Sequence, residues 1–423
     1  MYFKIHYAAL ALALACQGAS AAPAVSLAQA QQRALAHSSR LKAQDAAIAA
    51  AREMAVAAGR LPDPVLKAGI DNLPASGPDR FSPGADFMTM RRLGIEQELT
   101  SREKRSLRAS RFEQMAAQAS AEQGAAAAAV ERDTALAWLD LHYATRATQL
   151  VAGQVSQAQA ELAAQEAAYR GARASQADLL AARSALVLAQ DRAATAERQR
   201  LNARTMLARW VGETVDIAGD RADITHLRHD PDTLDDELDH HPEVGVLRRA
   251  EDVARTEARL AAAESRPDWK VEFSFQQRGR DYPNMVSFGV AVPLQWDRKH
   301  RQDRETAART AQAAQARDER EEAQRMHTAE TRNLVGEWRT GLERMHRYEH
   351  ELVLLARQRA EAVLAAYRGG KAQLADVLAA RSSELDTRLQ SLQVEAETAR
   401  TWARLNFLFP TAAMESFATK EQK

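Results

Sequence analysis

Sliding the sequence against itself by 198 positions lays Ala167-Ala168-Tyr169-Arg170-Gly171-Ala172-Arg173-Ala174 over Ala365-Ala366-Tyr367-Arg368-Gly369-Gly370-Lys371-Ala372. The match runs on through Asp178/Asp376 to Ser184/Ser382, giving 13 identities in 18 positions. Arg60-Leu61-Pro62-Asp63 and Arg266-Pro267-Asp268 also correspond, each closing a helical stretch and opening a strand. A chain that contains itself twice folds as two copies of one supersecondary unit. Repeat one, 22–230, reads as a helix (26–59), strands 64–73 and 86–99, and helices 100–168 and 172–210. Repeat two, 231–410, reads as a helix 241–265, strands 268–278 and 285–296, and helices 297–366 and 372–408, with a tail at 411–423.

The outgoing helices are too long for a compact domain. The 69-residue run 100–168 has no proline and would extend about 100 Å if continuous. Composition agrees: charged residues make up 27%, aromatics 5%, and Ala125 to Ala129 form an unbroken alanine run, a mixture typical of long helices. In the return helix Leu385, Leu389, Leu392, Ala396, Ala399, Ala403 and Asn406 step by three and four, giving one stripe for neighbouring helices.

The strands obey a different period. In Trp269-Lys270-Val271-Glu272-Phe273-Ser274-Phe275-Gln276 every odd position is apolar and every even one polar. Val286, Phe288, Val290, Val292, Leu294 and Trp296 alternate with small or polar residues in the same way, and repeat one shows a weaker version at 66–71 and 92–99. Strands of about 10 residues suit a tilted crossing of a bilayer. Four strands close no barrel, and an open sheet in lipid would leave edge N–H and C=O groups unpaired, so chains must pool their strands: two chains give eight, three give twelve. The alternative is a water-soluble sheet with one buried face, but nearly all the remaining chain is long helix and little is left to cover it.

Lys plus Arg equals Asp plus Glu at 57 each, so the charge gives no reason to expect nucleic acid as a partner. Lys4, an apolar run from Tyr7 to Cys16, and small residues before Pro23 have the layout of a secretory leader, 1–21. Cleavage after Ala21 competes with lipid attachment at Cys16, the only cysteine.

The Tyr-x-Gly…Asp-(Leu/Val)-Leu motifs, at Tyr169 to Leu180 and Tyr367 to Leu378, together with the duplicated order of elements, resemble the TolC family of outer-membrane efflux channels over about 26–410. Leu61-Pro62-Asp63-Pro64, Gly69-Ile70-Asp71-Asn72-Leu73-Pro74 and Asp86-Phe87-Met88-Thr89-Met90-Arg91-Arg92 look most like its heavy-metal branch, the copper/silver or cobalt/zinc/cadmium exporters. The resemblance implies a mainly α fold with a transmembrane β-barrel: a homotrimer whose 12-stranded barrel sits in outer-membrane lipid and continues as a periplasmic α-helical tunnel. It implies docking tips at Tyr169, Arg170 and Gly171 and at Tyr367, Arg368, Gly369 and Gly370, which meet a periplasmic adaptor and an inner-membrane RND-type pump. It further implies a pore gate at Asp376, with Asp178 at the equivalent place in the other repeat; a ring of carboxylates in a narrow neck needs cationic partners when closed, and Lys371 and Arg173, each five residues before its aspartate, are the candidate counter-charges. The sequence departs from the family pattern at Ala379, where a second acid is common, and the spacing from Gly369 to Asp376 is one residue longer unless Gly370 is the aligned glycine.

No phosphate loop, nucleophile elbow or paired-carboxylate motif is present, so no enzyme activity and no cofactor are expected and energy must come from another protein. His346 with His350, His240-His241 with His226 and His229, and Met88 with Met90 on one strand face are the metal candidates by residue type. None has an obvious full ligand set, and no metal site is assigned. A periplasmic coiled-coil adaptor or scaffold is the competing reading from a different class.

Overall fold

The computed structural model describes residues 24–218 and 222–411; the leader with Cys16, and the tail beyond Thr411, lie outside the described residues. The chain forms two compact units that each draw on both repeats. One takes in residues up to 37, 134–223 and 352–393; the other takes in 38–133, 224–351 and 394 onward. Helices α3 (Arg102–Arg170) and α9 (Leu374–Asn406) contribute to both.

In the first unit β1 (Ala24–Val25) pairs in parallel with β4 (Asp216–Ile217), and α1 (Leu27–His37) packs on α4 (Gln176–Val211). Trp138 is buried, and its indole N–H donates to the Val25 carbonyl at 3.1 Å. The predicted helix 26–59 is interrupted: Ser38 breaks it, capping α2 (Ser39–Ala58) by accepting the Leu41 N–H.

The second unit holds one antiparallel sheet in the order β2-β3-β5-β6, with β2 (Val65–Asp71), β3 (Met90–Leu99), β5 (Trp269–Gln277) and β6 (Met285–Ala291). The β3–β5 pairing joins the repeats. Its register stacks apolar residues in rows: Leu66, Ile95, Phe273 and Phe288 in one, Ala68, Leu93, Phe275 and Val286 in the next. This face is open, with Phe288 73% exposed. The opposite face is a charge lattice in which Lys67 bridges Glu96 and Glu272, Arg92 meets Asp71 at 3.3 Å, and Lys270 meets Glu98 at 3.4 Å. Gly94 sits on that face, where a Cβ would stand 2.8 Å from the Ser274 Cβ. Strand pairing stops at Ala291, earlier than the alternation predicts, because Pro293 has no N–H for the ladder. Val292, Leu294 and Trp296 continue past it as an uncovered apolar segment, with Trp296 89% exposed. Met88 lies in the turn before β3, so it does not share a strand face with Met90.

Lys104, near the start of α3, is buried and paired with Asp268 at 2.8 Å, and it also donates to the Arg266 carbonyl. That anchors the helix to the segment entering β5. The short α5 (Leu234–Glu237) precedes α6 (Pro242–Glu264), which packs along α7 (Gln302–Arg347), and the buried Glu251 is held by Arg320 at 2.8 Å and by Arg255. Trp338 repeats the role of Trp138, its N–H donating to the Ile224 carbonyl at 2.9 Å. From tryptophan to tip arginine repeat one counts 32 residues, Trp138 to Arg170, and repeat two counts 30, Trp338 to Arg368. A two-residue deletion would leave a regular helix about 160° out of phase. The π-helical turn Tyr348–Leu352, between α7 and α8 (Val353–Arg368), takes one more residue out of the regular winding and reduces the mismatch to about 60°.

The helix cap of α6 is also a titrating group. His241 is buried, its Nδ1 accepts the Glu243 N–H at 3.3 Å, and its ring stacks on His327 at 4.2 Å between centroids. Burial, and then the neighbouring His327 and Arg132, push its pKa down to about 4. Below pH 6.5 the unfolded chain takes up a proton that folded His241 refuses, so stability falls between about pH 6.5 and 4, by on the order of 3 kcal/mol in total. Thermal melts followed by circular dichroism should show this acid sensitivity in the wild type and a clearly smaller loss in His241→Phe.

Candidate functional site

The two tip motifs fold into the same turn. At the end of α3 the Gly171 N–H donates to the Ala167 carbonyl at 3.1 Å, Ala172 to Tyr169 at 3.0 Å, and Arg173 to Ala168 at 2.8 Å. At the end of α8 Gly369 donates to Ala365 at 3.1 Å, Gly370 to Tyr367 at 3.0 Å, and Lys371 to Ala366 at 2.8 Å. This is a Schellman ending, which places one residue in the left-handed region. Gly370 takes that place with φ +70°, and Ala172 takes it with φ +51°. Gly370 and Ala172, which the 198-residue shift pairs, thus hold the same backbone conformation.

The return helices start on the aspartates. Ser175 caps α4 and accepts the Asp178 N–H at 3.1 Å, while Asp178 accepts from the Ser175 N–H at 3.1 Å and from its hydroxyl at 2.6 Å, a complete capping box. The Ser175 hydroxyl, followed by its N–H, holds the Asp178 carboxyl below the usual carboxylate range. Asp376 does the same work in part, accepting the Gln373 N–H at 2.9 Å. Each carboxylate therefore lies in the first turn of a return helix. Among the described residues neither Arg173 nor Lys371 makes an ion pair within the chain.

The tyrosines are less alike. Tyr367 is half-buried and its hydroxyl accepts from the buried Gln165 side chain at 3.2 Å, tying the second hairpin to the first. Tyr169 is exposed. Above this link Glu161 pairs with Arg381, and Arg192 meets Asp386 at 3.3 Å. A cleft of about 480 Å³ opens beside them, between α3, α4 and α9. Sequence periodicity does not disclose these cross-hairpin pairs, because their members lie about 200 residues apart.

The metal candidates do not assemble. His346 and His350 stack at 4.2 Å, and the His350 Nδ1 contacts the His346 carbonyl at 3.0 Å. His226 and His229 serve other contacts, the first through its carbonyl to Trp402 and the second with Glu237. Among the described residues the group of three possible ligands is His241, Glu243 and His327, and His327 was not among the sequence candidates. Its two rings lie face to face, 24° from parallel, so their in-plane lone pairs run side by side instead of converging on one ion.

No family model and no curated protein matches the sequence. Solved structures match the fold. The outer-membrane channel OprN gives a TM-score of 0.77 at 17% identity, covering 91% of this chain and 90% of that one. The outer membrane protein VceC of Vibrio cholerae gives 0.73 at 18%, covering 90% and 95%. CusC, solved in a study of its folding and transmembrane channel formation, gives 0.77 at 14%, covering 90% and 92%.

The left-handed turn residue makes an internal comparison possible. Ala172→Gly should stabilise the first tip by about 1 kcal/mol and Gly370→Ala should weaken the second by a similar amount, since an L side chain is penalised in that region. Amide hydrogen exchange of the tip peptides should slow in the first variant and quicken in the second.

Proposed function

We propose that this chain, whose fold is that of solved outer-membrane channels, is the outer-membrane duct of a tripartite efflux system. One observation carries the reading: an open four-stranded sheet with an uncovered apolar face, a charged opposite face, and β2 and β6 as its edges. In water that face would be a liability, and in lipid it is the required surface. With an even number of antiparallel strands, β6 of one copy and β2 of the next run in opposite directions, so copies join edge to edge without breaking the antiparallel pattern. Three copies would make a 12-stranded barrel, its charge lattice facing the lumen. Trp269 and Trp296, near the helix-side end of the sheet, suit the membrane interface.

The periplasmic helices then form the tunnel, and the Tyr-Arg-Gly tips meet an adaptor and an inner-membrane pump that supplies both energy and substrate. Heavy-metal cations are the substrate class supported by the resemblance around Leu61 to Pro64 and Asp86 to Arg92. Drugs or other small molecules are the second reading, since a shared duct passes whatever its pump delivers. At the tip Asp178 and Asp376 place carboxylates at a neck, where a ring of them attracts cations. Arg173 and Lys371 would offset that charge when the neck is closed.

Recovery of the protein in the outer-membrane fraction, with discrete conductance in planar bilayers, is the expected result; recovery in the soluble periplasm would favour the coiled-coil adaptor. Asp376→Asn keeps an acceptor for the Gln373 N–H and removes the charge, whereas Asp376→Ala removes both. Both variants should weaken block by divalent cations, and wild-type block in both would take Asp376 out of the gate.

A further inference from the structure

The internal face between the two hairpins of the first unit has a counterpart on the outside of the same chain. Within the chain, α3 presents Glu161 and Gln165 to Arg381 and Tyr367. Leu385 is covered there and is 8% exposed. Shifting each residue by 198 positions moves this contact to two surfaces that the other described residues leave largely open. On α8 the counterparts of Gln157, Glu161 and Gln165 are Leu355, Arg359 and Val363. On the first hairpin the counterparts of Tyr367, Leu378, Arg381 and Leu385 are Tyr169, Leu180, Arg183 and Val187. Leu355, Leu180 and Val187 are 59%, 55% and 58% exposed, apolar area that a partner surface can cover.

The geometry points to a second copy of this chain as the occupant of these surfaces, with a seam between copies that repeats the internal seam but lacks its polar locks. This rests on the ring assembly proposed above. The Leu355 surface of one copy receives the Leu180 and Val187 surface of the next. The hydrogen bond from Gln165 to Tyr367 becomes an apolar contact of Val363 with Tyr169 of the next copy. The ion pair of Glu161 with Arg381 becomes Arg359 against Arg183 of the next copy, two like charges. Among the described residues neither arginine has an ion pair within the chain, and Glu361, the nearby acid on α8, is engaged by Arg357 at 2.9 Å. Like charges across an interface oppose association. The hairpins of one copy are therefore bound to each other more firmly than to their neighbours.

The test uses the full chain in detergent, with its size measured by light scattering. Arg183→Cys with Arg359→Cys should, on oxidation, link copies into covalent dimers and trimers on a non-reducing gel. Glu161→Cys with Arg381→Cys should close within one chain and give no such ladder. Arg359→Glu creates an attractive pair across the seam and should raise the temperature at which the oligomer dissociates; adding Arg183→Glu should abolish the gain. A trimer by light scattering whose copies stay unlinked through positions 183 and 359, and whose dissociation Arg359→Glu leaves unchanged, overturns the seam while leaving the ring standing. A monomer overturns the ring, and the seam with it.

Discussion

A backbone amide placed in hydrocarbon has only protein to bond to, and the membrane placement proposed above would put that requirement on the sheet of the second unit. Its four strands satisfy one another internally but end in two open edges, β2 and β6. Its apolar rows have no helix over them, while the charged rows neutralise one another through Lys67, Arg92, Lys270 and their acids. In the proposed barrel those edges would find strands of neighbouring copies and the apolar face would find lipid. Beside it the buried Lys104 pairs with the half-buried Asp268, so both charges are satisfied where helix and strand meet.

Duplication solves a second problem, that of ending very long helices in the right place. The two tip turns use the same hydrogen bonds to within about a tenth of an ångström although one has glycine and the other alanine at the left-handed position. The aspartates then begin the return helices as N-terminal acceptors. A carboxylate can thus cap a helix and still leave an oxygen free for other partners, because the cap uses only one of its two oxygens.

Much of this was legible from sequence because it depends on local period. Alternation along Trp269 to Gln276 placed the strands, and the proline-free runs placed the long helices. The interruptions were harder. Ser38 breaks the first helix by a cap that the alanine-rich context hides, and Pro293 ends β6 although the apolar alternation continues past it. Tip positions were legible from the repeat, but Gln165 as the partner of Tyr367 and His327 as the neighbour of His241 come from distant parts of the chain. No spacing rule connects such residues, so tertiary contact alone reveals them.

The wide turn at Tyr348–Leu352 has a consequence for how such a chain can change over time. In an uninterrupted helix, losing two residues would swing everything downstream to the opposite side. With a bulge upstream, α8 recovers most of its facing, and Tyr367 still reaches Gln165. One half of a duplicated gene can then drift in length while the other stays fixed, so that insertions and deletions in the shaft are absorbed there before they reach the residues that meet at its end.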